Sequence, residues 1–221
     1  MFVHLHARHL FTPLLLLLVT LGAGCGAEPN SATPPDNATP DGSTAQLERC
    51  RAPAGVSGRP RTTDEAVQLL NALPKPTTVA CFVESLERPL TVFATSSTFS
   101  AQPAPSPRSP RVFVRLEGLW LSFVIAGDSS LLIEFGELLA GEPLQSIKGE
   151  LQLPLQDVVA PSAPYDRVLQ EGGTVCRVCH YDEQAVSSMP AVRAFSSIAF
   201  RPRPEGHVRL ESLLLEGQLC N

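Results

Sequence analysis

Proline limits the fold of this 221-residue chain more than any other feature, because its 21 prolines are about twice the usual share. Most of them fall in five clusters, at 29–40, 53–60, 74–76, 103–110 and 154–164. Because proline breaks the interior of a helix, this distribution predicts short elements and argues against long helices. Apolar residues make up 43% of the chain, which is enough for a hydrophobic core.

The segments between the prolines predict one β-rich α+β domain over residues 48–221, with a few short helices. A capping box at 62–65 precedes an apolar stretch that Pro74 ends, which predicts a helix. Residues 77–87 fit either a helix or a strand, and so does 191–200. Alternating or continuous apolar runs predict strands at 90–94, 111–116, 119–127, 130–135 and 146–153. These strands predict an antiparallel sheet, which could close as a sandwich, while 205–217 predicts a final helix.

Residues 1–24 have the layout of a secretory signal peptide. A start containing Arg8 is followed by an apolar run and then by the small residues 22–24. The apolar run is shorter than the roughly 20 residues that a membrane-spanning helix needs. We therefore expect an export signal rather than a transmembrane anchor.

Residues 21–25, Leu-Gly-Ala-Gly-Cys, resemble the lipobox of bacterial lipoproteins, although Gly22 stands where leucine is commonest in that family. The resemblance implies that Cys25 becomes the acylated first residue of the mature chain, anchored stably in a membrane by its acyl chains. Because residue 26 is glycine and not aspartate, the resemblance implies an outer-membrane lipoprotein facing the periplasm or the cell surface. Ordinary cleavage, which would leave a soluble periplasmic protein, is the alternative.

Residues 25–47 fit a disordered tether between the anchor and the domain. From residue 27 onward they are rich in Pro, Ser, Thr, Asn and Asp and contain no aromatic residue, so they cannot bury enough apolar surface to fold. The formal net charge of the chain is −5. An acidic chain has no electrostatic footprint for nucleic acid, and we expect no nucleic-acid partner.

The stretch TVCRVCHYDE contains Cys176, Cys179 and His180 in the spacing C-x-x-C-H. Two thiols at this spacing can each form a thioether to one vinyl group of a porphyrin, and the histidine that follows can ligate the iron. Residues 176–180 resemble the attachment site of c-type cytochromes, and their late position is similar to that of the β-sheet cytochrome c′ group. The resemblance implies that Cys176 and Cys179 hold haem c and that His180 is its proximal ligand. The role implied is electron transfer to a redox partner protein, or ligand sensing.

The sixth position of the iron has two candidate ligands, Met189 and His207, or stays vacant. After the leader, Met189 is the single methionine, and His207 is the single histidine apart from His180. Met189 has to pass the haem edge within nine residues, whereas His207 has ample reach. Each is equally explained as an ordinary core or surface residue.

The same cysteines also fit two other kinds of site. Cys176 and Cys179 can form a disulfide in an exported protein, which would make the chain a non-catalytic envelope lipoprotein serving as a binding or structural module. A zinc site would need a fourth ligand from Cys50, Cys81 or Cys220. Because Cys50 and Cys220 bracket the domain, we expect a disulfide between them, with Cys81 left as a buried thiol. The sequence has none of the common hydrolase or phosphate-loop motifs, so no enzymatic activity is predicted.

Overall fold

The computed structural model describes residues 50–96, 102–104, 109–199 and 207–209. All of them fall in one compact unit, within residues 42–219. The predicted signal peptide, Cys25, the tether and Cys220 lie outside the described residues.

The main element is a seven-stranded sheet in which every neighbouring pair is antiparallel. Its strands are β1 (Thr91–Thr95), β2 (Arg111–Arg115), β3 (Leu119–Val124), β4 (Leu132–Leu139), β5 (Glu142–Gln152), β8 (Gln184–Ala185) and β9 (Phe195–Ile198). They lie in the order β1-β2-β3-β4-β5-β9-β8. A separate two-stranded sheet joins β6 (Leu169–Gln170) to β7 (Gly173–Thr174). The predicted β-rich antiparallel fold is confirmed, and β9 shows that part of 191–200 is a strand.

The described residues form three α-helices, α1 (Thr63–Ala72), α2 (Val79–Ser85) and α3 (Ala163–Val168). The hydroxyl of Thr62 accepts the N–H of Glu65 at 3.2 Å and so caps α1, as predicted. The Glu65 carboxylate accepts the N–H of Arg61, at 2.6 Å, one residue before the expected partner. The ambiguous stretch 77–87 folds mainly as α2. In the stretch 205–217, the described residues 207–209 are not helical, because His207 forms a β-bridge with Thr95.

The two faces of the large sheet differ in character. One face packs against α1 and α2 and forms the hydrophobic core, which includes Leu69, Phe82, Leu121, Ile133 and Phe135. Because side chains alternate along a strand, the other face carries Arg111, Ser122, Glu134 and Lys148 from β2 to β5. The sheet therefore presents a charged second face, and a second large sheet is not among the described elements, so the sandwich remains a prediction.

The structure corrects the predicted disulfide, because Cys50 is bonded to Cys81 and not to Cys220. Thr78 caps α2 through the N–H of Cys81 at 3.1 Å, and α2 then buries Cys81 against the core. The N–H of Cys50 lies 3.3 Å from a carboxylate oxygen of Glu84 on the same helix. These contacts bring residue 50 onto α2, so the prediction of a free Cys81 was also wrong.

Candidate functional site

The C-x-x-C-H segment folds as a single helical turn directly after β7. A 3₁₀ helix covers Val175–Val178, and the hydroxyl of Thr174 caps it by accepting the N–H of Cys176 at 3.2 Å. The carbonyl of Cys176 accepts the N–H of Cys179 at 3.1 Å and that of His180 at 2.8 Å. The 3₁₀ turn and the bond that follows it therefore fix the backbone from Cys176 to His180.

Glu183 holds this turn in place, a role that was not predicted from the sequence. One of its carboxylate oxygens accepts the N–H of Thr174 at 2.9 Å, and the other accepts the Thr174 hydroxyl. A Cβ at residue 173 would collide with this carboxylate, so Gly173 leaves room for it. Thr174 is 1% exposed. The contact joins two residues nine positions apart, and no local sequence pattern signals it.

A backbone carbonyl of the sheet orients the imidazole of His180. Its Nδ1 lies 2.8 Å from the carbonyl oxygen of Ile198 on β9. A carbonyl can only accept, so Nδ1 carries the proton and the lone pair is on Nε2. Burial and the nearby Lys148 cation lower the pKa of His180 to about 4, so the ring is neutral at neutral pH. A neutral imidazole with one nitrogen bonded to a carbonyl has the arrangement that metal-ligating histidines usually have.

The charged face of the sheet adjoins the motif. Lys148 is 9% exposed and donates to the Ser146 hydroxyl and, at 3.3 Å, to the carbonyl oxygen of Ile198. Burial lowers the pKa of Lys148 to about 8. On the neighbouring strands, Arg111 pairs with the Glu134 carboxylate and donates to the Ser122 hydroxyl at 2.8 Å. Burial raises the pKa of Glu134 even though Arg111 opposes the shift.

The two motif cysteines are free thiols in different surroundings. Cys176 is partly buried, and burial raises its pKa to about 11, so it is a thiol at neutral pH. Cys179 is exposed. The alternative disulfide between them is not formed in this structure. Within the described residues, no group of three or more His, Cys, Asp or Glu side chains is placed to hold a metal ion.

Neither candidate for the sixth ligand lies beside His180. Met189 packs with Ile147, Tyr165 and Ala194, on the face opposite to Lys148, since residues 147 and 148 point to opposite faces of β5. His207 bridges β1, which is at the opposite end of the sheet from β9. The structure thus gives both residues other neighbours, because the backbone turns at 189–192 and the chain returns to β1 at residue 207.

Apolar side chains are exposed on and next to the motif turn. Val178 lies between the two cysteines and is 83% exposed, while Val175 and Tyr181 are each more than half exposed. Two thiols, an imidazole with its lone pair on Nε2 and an adjacent apolar surface are the kinds of group that covalent haem attachment uses.

A groove of about 510 Å³ lies elsewhere, between α2 and the end of β3. Val79, Val83, Phe123 and Leu131 are among its lining residues, and none of the motif residues lines it. Because the groove is apart from the two thiols and the imidazole, we keep the motif turn as the candidate site.

Comparison with known proteins adds no relative of this chain. No protein-family model matches the sequence, and no curated protein or solved structure does so either. Among the residues that the structure describes, no helix is long and apolar enough to cross a membrane.

Proposed function

We propose that this protein is an exported, lipid-anchored envelope protein that carries one haem c on Cys176, Cys179 and His180. Its role is electron transfer with a redox partner protein, or ligand sensing, and no enzymatic activity is assigned to it. The observation that carries the proposal is the 2.8 Å contact between His180 Nδ1 and the Ile198 carbonyl. That contact directs the lone pair of a neutral imidazole to Nε2, as an iron ligand requires.

Each residue of the turn has a defined task in this proposal. Cys176 and Cys179 would hold the haem through thioethers, and His180 would ligate its iron through Nε2. When bound, the haem supplies one-electron or ligand-binding chemistry. Thr174 and Glu183 keep the turn in shape through their hydrogen bonds. The exposed side chain of Val178 offers apolar contact beside the two thiols.

The haem is tested with the exported chain produced alongside a cytochrome c maturation system. We expect a pyridine haemochrome spectrum of the c type and a chain mass increased by one haem. The variant C176A/C179A should lose both signals. The matched control C50A/C81A, which removes the structural disulfide, should keep both. A protein without the c-type band, with Cys176 and Cys179 oxidised to each other, would contradict the proposal and favour the binding or structural module.

The lipid anchor at Cys25 is tested separately by cell fractionation. We expect the wild-type chain in the outer-membrane fraction and the variant Cys25→Ala outside it, because a chain without acyl groups has no stable anchor. The control Cys220→Ala removes a different cysteine and should leave the fractionation unchanged. A membrane-bound Cys25→Ala variant would show that the anchor is assigned wrongly.

A further inference from the structure

The carbonyl oxygen of Ile198 accepts two hydrogen bonds from opposite parts of the site. His180 Nδ1 lies 2.8 Å from it and Lys148 Nζ lies 3.3 Å from it. A carbonyl oxygen has two lone pairs and can satisfy both donors at once. The motif turn and the charged face of the sheet are therefore coupled through this one atom.

The strand register fixes Lys148 in this position. Ser146 on β5 pairs with Ser197 on β9, which places the side chains of Ser146 and Lys148 on the same face, close to the end of β9. The ammonium group also donates to the Ser146 hydroxyl. No carboxylate of the described residues forms an ion pair with it. A buried ammonium held by neutral acceptors is costly, which points to a role beyond stability.

We propose that Lys148 is a positioning residue that tunes His180 as an iron ligand through the shared Ile198 carbonyl, an inference that rests on the proposed haem. A carbonyl oxygen that already accepts a hydrogen bond from the Lys148 ammonium is a weaker acceptor for the Nδ1–H of His180. The imidazole would then donate less electron density to the iron. The positive charge of Lys148 also favours the reduced iron over the oxidised iron. Both effects act in the same direction and raise the reduction potential.

The test compares three variants of the haem-bearing mature chain by potentiometric titration. Lys148→Met removes the donor and the charge, and we expect a lower midpoint potential than in the wild type. Lys148→Arg keeps both and should restore most of the difference. The control is Lys75→Met, since Lys75 is the only other lysine in the chain and donates to the carbonyl of Leu70, away from the motif. It should leave the potential unchanged.

A second readout separates this inference from the haem assignment. In the same chain made without the maturation system, nitrogen-15 NMR should show His180 protonated at Nδ1, and Lys148→Met should shift the Nδ1 proton downfield as its bond to Ile198 strengthens. If this shift is seen and the chain takes up no haem even with the maturation system present, the haem proposal fails while the Lys148 contact stands. Two results would overturn the inference. One is an unchanged midpoint potential in a folded, haem-loaded Lys148→Met variant. The other is a midpoint potential that falls as far in Lys148→Arg as in Lys148→Met. Should Lys148→Met not fold, Lys148→Leu takes its place, and the same outcomes decide.

Discussion

The Cys50–Cys81 disulfide makes a quantitative prediction about stability. It joins residues 31 positions apart and encloses all of α1, which packs against the apolar face of the sheet. The chain-entropy relation gives about 3.7 kcal/mol of stabilisation for a loop of this length. Replacing Cys81, which is 9% exposed, by alanine also removes some packing. We therefore expect C50A/C81A to lose about 4 kcal/mol of unfolding free energy.

The measurement is urea unfolding of the mature chain under non-reducing conditions, with the wild type and C50A/C81A each extrapolated to zero urea with its own m-value. Reducing the wild type should lower its midpoint by nearly as much as the double substitution. The matched control is Cys220→Ala, which should unfold at the wild-type midpoint. If Cys220→Ala lost as much stability as C50A/C81A, the pairing would be wrong. If C50A/C81A stayed within about 1 kcal/mol of the wild type, the loop-closure argument would fail.

Two further predictions concern the contact between β5 and α3. Gly149→Ala should cost about 1–3 kcal/mol of unfolding free energy, because a Cβ there would lie 2.9 Å from the Cβ of Pro164. Its control in the same assay, Gly136→Ala, meets nothing closer than 3.7 Å and should cost less. Burial raises the pKa of Tyr165 from 10.0 to about 12, so the folded state holds the phenol proton more tightly than the unfolded state does. The contribution of Tyr165 to the free energy of unfolding is therefore complete below pH 10 and should fall as the pH rises from 10 to 12. The free energy of unfolding, measured between pH 10 and 12, should fall in the wild type and fall less in Tyr165→Phe. An equal fall in both proteins would contradict the assignment.

Local patterns predicted most of the fold. The hairpin of β2 and β3 follows from two apolar runs around Glu117 and Gly118. Gly118 has φ of +81°, and a Cβ there would lie 3.0 Å from the Arg61 carbonyl oxygen, so the turn favours glycine. By contrast, 77–87 fitted either element because its apolar residues are spaced for a helix while Thr77, Thr78, Val79 and Val83 are β-branched. The Thr78 cap and burial of Phe82 in the core favour the helix.

The disulfide partner was not predictable from spacing. Cys50 and Cys220 bracket the domain in the sequence, yet pairing depends on which thiols the fold brings together. Cys81 is brought to Cys50 because α2 packs against the core and carries Glu84 to the N–H of Cys50. Both contacts are tertiary, so no count of cysteines or loop lengths could have selected them.

In the same way, one part of the candidate site follows from the local sequence and the other part from tertiary contacts. The turn from Cys176 to His180 depends on backbone bonds three and four residues apart, so its causes lie within the motif itself. The atoms that orient and surround His180 come from β9 and β5, 18 and 32 positions away, and only the strand register places them there. The polar residues at alternating positions of β2, β4 and β5 carried a signal for a charged second face, although their contact with the motif did not follow from it. The proposed haem attachment depends on the local turn, whereas the contact of Lys148 with the Ile198 carbonyl depends on the strand register. The contact can therefore exist without the haem, but the proposed tuning needs both.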